Sequence, residues 1–214
     1  MGFYRDSDAV YRTEELDRLP WLLHGFGTRV ADIPSRFSQL ATLKQIHSSE
    51  CIAAGGRAGE LGRGDALLEN SPGSVVAVKT ADCIPILLAD ERRRAVAAVH
   101  AGWRGTAAEI ARRAVEQMGE RFGTAPGNLH AAIGPGIGAC CYEVGPEVAE
   151  RFGLVGRTHL DLTEINREQL LDSGVTAGRI YASRLCTMCL GAEFHSFRRD
   201  REAAGRLYSF IGIL

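Results

Sequence analysis

Two apolar runs separated by a short charged segment constrain the fold of this chain more than any other feature. Residues 84–89 (Ile-Pro-Ile-Leu-Leu-Ala) and 95–99 (Ala-Val-Ala-Ala-Val) flank the charged residues 90–94. A connection this short cannot form a parallel crossover, which needs about a dozen residues, so the runs predict an antiparallel hairpin. Their residues are apolar at consecutive positions, which is typical of strands buried on both faces. We therefore expect a sheet at the core of the protein.

Three further short apolar runs are predicted to form strands of this core. They cover residues 66–68, 74–78 and 129–133. The glycine-rich residues 55–64 are expected to form a loop that is not a domain boundary. Most of the predicted strands follow one another before the first long helix, whereas strands and helices alternate in a Rossmann sheet. The order therefore favours a mixed sheet with antiparallel hairpins.

Three segments are predicted to form helices. Residues 106–122 carry apolar residues at spacings of three and four with Glu and Arg between them, which indicates an amphipathic helix. A shorter helix is expected over residues 146–152, because a proline stands at its first turn. Another is expected over residues 161–172, with Asp161 as its N-cap and Gly174 as its stop. Strands and helices together indicate an α/β or α+β fold.

Length and charge limit what the chain can bind. Its 214 residues fit one domain, which we expect to span residues 1–214. A formal net charge of −1 supplies no overall field to attract nucleic acid or an anionic membrane, so a small molecule is the expected partner. The first residues carry charges and no apolar signal segment, which predicts a cytoplasmic protein. The six cysteines are then expected to be thiols or ligands rather than disulfides.

The open end of the predicted hairpin brings two reactive side chains together. A turn centred near Glu91 and Arg92 places Cys83 directly opposite His100. Opposed residues share a face of the sheet with Cβ atoms about 4.5–5.5 Å apart, which suits one metal ion or a Cys–His contact. A one-residue slip in register would send one side chain to the other face. The alternative is a buried cysteine and a hydrogen-bonded histidine without a chemical role.

The residues around this pair point to an anion. Asp82 supplies a carboxylate beside the thiol, and Arg104 lies between two glycines just before the predicted helix. Backbone N–H groups, a helix N-terminus and a guanidinium together suit phosphate or a developing oxyanion. The alternative for Arg104 is a surface ion pair with Glu109, which would contribute little.

Several multi-residue motifs follow one another in a fixed order along most of the chain. They are Lys44-Gln-Ile-His47, Gly64-Asp-Ala66, Thr80-Ala-Asp-Cys-Ile-Pro85, His100-Ala-Gly-Trp-Arg-Gly105, Ile133-Gly-Pro135, Cys141-Tyr-Glu-Val-Gly145, and a C-terminal set of Cys186, Phe194-His-Ser-Phe-Arg198 and Gly205-Arg206. In this order they resemble the YfiH-type purine nucleoside phosphorylases, formerly called laccase-domain polyphenol oxidases. The resemblance runs from about His24 to the C-terminus. It departs from the family after Arg29, where a glycine- and asparagine-rich continuation has shrunk to five residues ending at Pro34, a difference that bears on substrate preference.

The resemblance implies a single-domain α/β (α+β) fold of layered mixed β-sheets flanked by helices. It also implies a Zn²⁺ ion held by His47, Cys83 and His100. The implied activity is phosphorolysis of adenosine, inosine and methylthioadenosine to free base and ribose 1-phosphate, together with deamination of adenosine. The expected partners are then purine nucleosides and phosphate, with no nucleic acid and no membrane. A monomer or a small homo-oligomer is expected.

The implied ligand set agrees with coordination chemistry. Two imidazoles and one thiolate leave a fourth position for water or substrate, as in catalytic zinc sites. Cys83 and His100 are therefore expected to be catalytic. We assign to Asp82 a proton-shuttle role in deamination and to Arg104 a contact with phosphate.

Five residues are expected to contact the substrate: Lys44, Gln45, Arg104, Tyr142 and Arg198. Lys44, Gln45 and Arg198 lie in the matched motifs. Tyr142 has the ring and the hydroxyl needed to stack on a nucleobase or to hydrogen-bond with it. The alternative for Tyr142 is an anchor that fixes its loop to the core.

Two other patterns are weaker. Residues 134–139 match a dinucleotide-binding glycine fingerprint, but no convincing helix follows, so a tight loop lining the site is expected. Cys186 and Cys189 have the spacing of half a zinc ribbon, but Cys140 and Cys141 are adjacent and do not supply the other half. A ribbon is therefore not expected, and no thioredoxin-like order of strand and helix supports a redox role. Packing and support of the site are the expected roles of the pair.

Three other functions stay open at this point. Cys83 and His100, with Asp82 nearby, would also serve a metal-free cysteine hydrolase or deamidase. A non-enzymatic nucleotide-binding domain would use zinc structurally, and three ligands with one open position count against it. A copper polyphenol oxidase needs a further histidine-rich cluster, for which the chain retains only His24, His130, His159 and His195.

Overall fold

The chain is built around two β-sheets, which a computed structural model describes for residues 2–214. The strands are, in chain order, β1 (Phe3–Arg5), β2 (Val10–Thr13), β3 (Leu22–Gly27), β4 (Leu40–Lys44), β5 (Cys51–Ala53), β6 (Gly59–Arg63), β7 (Ala66–Glu69), β8 (Val75–Thr80), β9 (Ile84–Asp90), β10 (Ala95–Ala101), β11 (Leu129–Ile133), β12 (Glu143–Val144), β13 (Thr158–His159), β14 (Ile180–Ala182) and β15 (Leu207–Ile213). One sheet has seven strands in the order β1-β2-β3-β15-β8-β4-β6, and the other has six in the order β14-β11-β9-β10-β7-β5. Strands β12 and β13 form a separate small ladder.

Two of the α-helices are long and the others are single turns. The α-helices are α1 (Glu14–Asp17), α2 (Trp103–Ala107), α3 (Ile110–Phe122), α4 (Pro146–Ala149), α5 (Leu162–Asp172) and α6 (Phe197–Asp200). Short 3-10 helices occur at Pro34–Arg36, Pro126–Asn128, Glu150–Phe152, Ala177–Arg179 and Arg201–Ala203. Within residues 2–214, no helix has both the length and the apolar character needed to cross a bilayer.

The six-stranded sheet is the middle one of three layers. One of its faces packs against α3 and α5, and Ile86 and Ile110 belong to the buried cluster between them. Its other face packs against the seven-stranded sheet, and Leu87 and Ile211 belong to that second cluster. Alternate residues of a strand point to opposite faces. Both layers therefore require apolar residues, which is why β9 and β10 are apolar at consecutive positions.

The predicted fold class and most predicted elements are confirmed. The five apolar runs form β7 to β11, and the two shorter helices begin at Pro146 and Leu162. Asp161 caps α5 by accepting a hydrogen bond from the backbone N–H of Glu164 at 3.0 Å. Gly174 follows this helix with a φ of 91°. The sheets are mixed, because β4–β6, β4–β8, β5–β7 and β11–β14 are parallel pairs within otherwise antiparallel sheets.

The predicted register of the central hairpin is wrong by two residues. Ala95 pairs with Asp90, so His100 lies opposite Pro85 rather than opposite Cys83. The Asp90 carboxylate fixes the longer turn by accepting hydrogen bonds from two backbone N–H groups of the turn, at 2.8 and 3.1 Å. Because side chains alternate with a period of two, a shift by two residues keeps them on the same face. Cys83 and His100 therefore still meet, but diagonally.

The helix predicted over residues 106–122 is two helices with a break between them. Helices α2 and α3 are separated at Glu109, whose φ of 57° lies in the left-handed region. Side chains of α5 support the break: the Gln169 amide donates to the Thr106 carbonyl at 2.8 Å, and the Asn166 amide donates to the Thr106 hydroxyl at 2.9 Å. The apolar spacing continues across the break, so the sequence pattern alone cannot reveal it.

The glycine-rich residues 55–64 were predicted to form a loop, but half of them form a strand. Residues Gly59–Arg63 form β6, an edge strand that pairs in parallel with β4. Most of its residues are exposed. An exposed edge strand lacks the apolar pattern by which a buried strand is recognised in a sequence.

A glycine between the two sheets yields a stability prediction. Gly134 follows β11, and a Cβ at this position would lie 2.2 Å from a ring carbon of the buried Phe26. Gly134→Ala should therefore lower the free energy of unfolding by about 1–3 kcal/mol through overpacking. Gly127→Ala is the matched control, since a Cβ there meets no heavy atom within 4 Å. Urea denaturation measures both, and equal stability of the two variants would show that Phe26 moves aside without cost.

Candidate active site

The candidate site lies where the chain crosses from one sheet to the other. Strand β8 of the seven-stranded sheet ends at Thr80, and β9 of the six-stranded sheet begins at Ile84, so Cys83 lies in the crossing. His47 follows the end of β4, and His100 is the last residue but one of β10. All three side chains reach the same edge of the structure.

Three metal-binding atoms converge at this edge. One nitrogen each of His47 and His100 and the sulfur of Cys83 all lie within 4.8 Å of one another. The two imidazole rings meet edge to face, with their centroids 4.9 Å apart. Two imidazole nitrogens and one thiolate form a donor set that zinc accepts in catalytic sites, with one position left for water or substrate. The residues present therefore fit a zinc ion.

The surroundings of Cys83 favour its thiolate form. Burial raises the pKa of the thiol, but the charge and hydrogen bond of His100, with a hydrogen bond from His47, outweigh burial and hold this pKa at about 6. The thiolate is the form that binds a metal or attacks a substrate. Metal ligands must be deprotonated, so an ion bound here displaces the proton that the imidazoles otherwise share with the sulfur.

Asp65 was not among the predicted site residues, although it lies in a matched motif. Its Oδ1 is 2.8 Å from Nδ1 of His100, and its backbone oxygen accepts the N–H of His100 at 2.7 Å. The carboxylate also accepts the backbone N–H groups of His47 at 3.0 Å and Ser48 at 2.6 Å. Burial raises the pKa of Asp65, but the hydrogen bonds from His100 and Ser48 lower it to about 2. Asp65 thus orients the imidazole of His100 and holds the loop that carries His47.

Two of the predicted site residues have left-handed backbone conformations. The φ angles are 59° for His47 and 86° for Asp82, and such conformations cost about 1–3 kcal/mol in non-glycine residues. Asp65 holds the first, as described above. The Asp82 carboxylate holds the second, because it accepts the hydroxyl of Thr187 at 2.7 Å and the backbone N–H of Arg198 at 2.6 Å. The role of Asp82 as a proton shuttle stays a prediction.

Both glycines of the His100-Ala-Gly-Trp-Arg-Gly105 motif are required by close approach. A Cβ on Gly102 would lie 2.9 Å from Sγ of Cys83 and 3.1 Å from Cδ2 of His47. A Cβ on Gly105 would lie 3.0 Å from the backbone oxygen of Ser48. Any side chain at these positions would push Cys83 and the loop of His47 away from His100.

A pocket of about 670 Å³ opens onto the three donors. Its lining brings together every predicted site residue: Lys44, Gln45, His47, Asp82, Cys83, His100, Arg104, Tyr142 and Arg198. Pockets that bind small molecules span about 300–1,000 Å³, so the volume suits a ligand of this class.

Cations dominate the charged side chains of this pocket. Three cations that were not predicted, Lys79, Arg201 and Arg206, line it together with the predicted Lys44, Arg104 and Arg198. The acidic residues in the lining are Asp82 and Glu60, whose carboxylate lies 3.9 Å from Nζ of Lys79. Since the whole chain carries a net charge of −1, the positive charge is local to the pocket. Arg206 could have been found from its matched motif, whereas Lys79 and Arg201 reach the pocket only through the fold.

Arg104 lines this pocket, and its contact with phosphate stays a prediction. Its guanidinium carbon lies 4.3 Å from the ring centroid of Trp103, which orients the side chain. The ion pair with Glu109, considered as an alternative, is not formed, since Glu109 instead contacts Arg112 at 3.3 Å. Helix α2 has only five residues, so the guanidinium supplies more positive charge here than the helix terminus.

The other predicted substrate contacts differ in whether their polar groups already bond with the protein. The Gln45 amide donates to the carbonyl of Lys79 at 2.7 Å and accepts its N–H at 2.8 Å, so Gln45 is already used to join β4 to β8. The guanidinium of Arg198 lies 5.3 Å from the ring centroid of Tyr142. Burial and the charge of Cys83 raise the pKa of Tyr142 to about 12, so its hydroxyl keeps its proton as a hydrogen-bond donor.

The fold and the site define a layered α/β protein with a zinc-type donor set in a cationic pocket. A family model described as "Multi-copper polyphenol oxidoreductase laccase" matches residues 28–214. The chain belongs to this family, and the resemblance to YfiH-type proteins is confirmed.

Related proteins carry nucleoside-processing names. A purine nucleoside phosphorylase from Deinococcus radiodurans is 42% identical over 183 residues, which cover 81% of this chain and 70% of the relative. Adenosine deaminase RL5 from an unknown prokaryotic organism is 36% identical over 211 residues, which cover 92% of this chain and 76% of the relative. The crystal structure of the hypothetical protein YfiH from Bacillus licheniformis superposes with a TM-score of 0.89 at 28% identity, covering 99% of both chains. These matches support an enzyme family that processes nucleosides.

The contact between Asp65 and His100 yields a prediction about metal affinity. Asp65→Asn keeps the size of the side chain but removes the charge that orients His100, so zinc affinity should fall about 10–100-fold. Competition with a chromophoric chelator measures this affinity. Asp90→Asn is the matched control, because Asp90 is also a buried carboxylate but lies at the turn of the β9–β10 hairpin, at the end away from His100. Unchanged zinc affinity in Asp65→Asn would show that His100 does not depend on this carboxylate.

Proposed function

We propose that this protein is a zinc-dependent purine nucleoside phosphorylase. It cleaves adenosine, inosine and methylthioadenosine with phosphate to free base and ribose 1-phosphate, and it also deaminates adenosine. The observation that carries the proposal is the convergence, in one pocket, of the His47–Cys83–His100 donor set with six cationic side chains. The names of the related proteins, purine nucleoside phosphorylase and adenosine deaminase, support the same substrate class.

The cations of the pocket serve the phosphate. In phosphorolysis, a phosphate oxygen attacks the anomeric carbon of the ribose, and the bond from that carbon to the purine nitrogen breaks. The base leaves with the bonding electron pair and takes up a proton. Arg104 holds the phosphate with parallel N–H donors, and its stacking on Trp103 limits the orientations that the guanidinium samples. Holding phosphate next to the ribose is the main contribution that this part of the pocket makes to the rate.

Tyr142 and Arg198, which also line the pocket, serve the base. Tyr142 offers a protonated hydroxyl to a purine nitrogen or oxygen, because its pKa lies far above neutral pH. Arg198 lies against the Tyr142 ring and donates to the carbonyl of Glu143 at 3.0 Å, which fixes both side chains. The pair therefore presents a rigid polar surface to the ligand.

His47, Cys83 and His100 would hold the zinc ion at the pocket that they line. A three-ligand zinc site has one open coordination position and supplies Lewis-acid polarisation of the group that occupies it. Asp65 keeps Nδ1 of His100 engaged, so Nε2 is the nitrogen that faces the site. In deamination we assign proton transfer to Asp82, whose carboxylate lines the pocket and accepts one hydrogen bond at each oxygen, which leaves a lone pair on each.

A metal-free cysteine hydrolase or deamidase is the second candidate, and the thiolate of Cys83 favours it. In this mechanism the sulfur attacks a substrate carbon, the bond from that carbon to the leaving group breaks, and His100 gives the leaving group a proton. Water then displaces the sulfur and releases the product. His47 also hydrogen-bonds with the thiol, so its loss disturbs both mechanisms. Metal content and a covalent adduct on the sulfur are therefore the measurements that separate them.

Copper oxidation is not part of the proposal, although the family description mentions it. The second group of metal-binding side chains found among residues 2–214 consists of cysteines rather than histidines. His24 is buried and accepts the backbone N–H of Thr13 at 3.1 Å. His130 lies 3.0 Å from the hydroxyl of Tyr181. Histidines used in this way do not form the cluster that a multicopper oxidase needs.

We place the activity in one domain spanning residues 1–214, in the cytoplasm, as a monomer or a small homo-oligomer. None of the six cysteines forms a disulfide, which suits a reducing compartment. The cationic pocket supports a small anionic co-substrate as the partner.

Phosphate dependence is the first test. Base release from inosine should require phosphate and should yield hypoxanthine and ribose 1-phosphate in equal amounts, as measured by chromatography. Arg104→Ala should lower kcat/KM for phosphate about 10–100-fold, the loss expected for charge-assisted hydrogen bonds, with a much smaller effect on adenosine deamination.

Arg113→Ala is the control for this test, since Arg113 is an exposed arginine of α3 that pairs with Glu116 at 3.0 Å. It should leave both activities unchanged. Equal base release in phosphate-free buffer, with free ribose as the product, would identify a hydrolase. An equal loss of both activities in Arg104→Ala would assign Arg104 to general substrate binding or to structure.

Zinc content provides the second test. His47→Ala should lower bound zinc by about one equivalent per chain and lower activity with it, because two remaining ligands hold the ion poorly. A strong chelator should abolish activity, added zinc should restore it, and mass spectrometry should find no adduct on Cys83 during turnover. His159→Ala, which changes an exposed histidine of β13, is the control. Activity that persists in zinc-free protein, or an adduct on Cys83 during turnover, would favour the cysteine mechanism.

A further inference from the structure

Four cysteines outside the pocket come together near the surface. Cys140 and Cys141 lie in the loop after β11, and Cys186 and Cys189 lie in the loop after β14. The four sulfur atoms all lie within 4.8 Å of one another. The sequence argued against a ribbon because Cys140 and Cys141 are adjacent, but the fold places the two loops side by side. We call these four residues the cysteine site.

The spacing of the sulfur atoms suits a tetrahedral metal ion. Sγ of Cys189 is 3.7 Å from Sγ of Cys140 and 3.4 Å from Sγ of Cys141. Four sulfurs at about 2.3 Å from a zinc ion stand about 3.8 Å apart at the corners of a tetrahedron. A disulfide joins two sulfurs at about 2.05 Å. One sulfur with two partners at similar distances is the arrangement of a shared ligand set rather than of a bonded pair.

The backbone at Gly138 lies close against the sulfurs of the cysteine site. The N–H of Gly138 donates to Sγ of Cys186 at 3.3 Å. A Cβ on Gly138 would lie 3.3 Å from Sγ of Cys140, so the glycine lets the backbone approach the sulfurs. Hydrogen bonds of this kind orient metal ligands and tune them.

We propose that the cysteine site binds one structural zinc ion, which is separate from the ion of the active site. Four thiolates complete a tetrahedral shell and leave no position for a substrate, so the role of this site is structural rather than catalytic. The inference rests on the geometry of the four sulfurs and does not depend on the nucleoside activity.

The zinc ion clamps two loops that carry the pocket wall. Tyr142 directly follows Cys141, and Thr187 directly follows Cys186. Thr187 donates its hydroxyl to Asp82 at 2.7 Å, and both Tyr142 and Asp82 line the pocket. The cysteine site therefore fixes, from outside, the positions of side chains that face the substrate.

Counting zinc in matched variants tests this proposal. Each protein is purified with a reductant, stripped with a chelator, reloaded with zinc, freed of excess metal and analysed by elemental mass spectrometry. The wild-type chain should hold about two zinc ions, and Cys140→Ser/Cys189→Ser should hold about one. Both substituted residues are exposed, so the fold should tolerate the change. Cys51→Ser is the control, because Cys51 belongs to neither group, and it should keep both ions.

Cobalt in place of zinc tells the two sites apart. Thiolate-to-cobalt charge-transfer absorption grows with the number of thiolate ligands, so the cysteine site should give most of the signal. His47→Ala should keep this signal, and Cys140→Ser/Cys189→Ser should lose most of it. Chelation should also lower the thermal midpoint of His47→Ala protein, in which the cysteine site is the remaining zinc site.

Three results would overturn the proposal. One is a zinc content in Cys140→Ser/Cys189→Ser that equals the wild-type value. Another is a disulfide among the four cysteines in protein purified with a reductant, found by mass spectrometry of the denatured chain. The third is loss of all bound zinc in His47→Ala, which would show that the cysteine site binds none, while the proposed function still stands.

Discussion

Both faces of the β9–β10 hairpin are buried, and this constraint sets where the chemistry of the protein can lie. Helices α3 and α5 cover one face, and the seven-stranded sheet covers the other. Each fully buried isoleucine or leucine contributes about 1.5–3 kcal/mol, so the middle of the hairpin is reserved for apolar side chains. Polar groups occupy its two ends. Asp90 fixes the turn at one end, and His100 stands at the other.

The site depends on strand pairing more than on its loops. Asp65 lies opposite His100 because β7 pairs with β10, and the backbone bond between them continues that ladder. A buried carboxylate is stable only with partners, and Asp65 finds them in His100 and in the backbone around His47. The sheet therefore sets the position of His100 directly, and it sets that of His47 through the carboxylate of Asp65. Cys83 joins them because the crossing between the sheets ends at the same edge.

The elements that could be predicted are those whose signal is local in the sequence. The five strands are short apolar runs, and Asp161 has the side chain and the position of a helix cap. The hairpin register could not be predicted, because it depends on how the Asp90 carboxylate holds a longer turn. Asp65 was missed because its contact with His100 spans 35 positions.

Most residues of the candidate site could also be predicted, because each lies in a short motif. The resemblance to a known family indicated which of these residues belong to the site, which their spacing alone did not. The three predicted zinc ligands and the predicted substrate contacts all line the same pocket. The convergence of the four cysteines was not predicted, since the contact between Cys141 and Cys189 spans 48 positions and depends on how two loops pack. Lys79 and Arg201 were missed for the same reason.

The strand order has a consequence for how the protein is made. Strand β15 lies between β3 and β8, so the last strand occupies the middle of the seven-stranded sheet and not its edge. Until it has left the ribosome, β3 and β8 lack the neighbour that joins them, and contacts of such long sequence separation form slowly. The emerging chain thus carries all three donors before it has a cavity around them. Strand β15 also follows Arg198 and Arg206 in the chain, so the seven-stranded sheet is completed only after these pocket residues have been made.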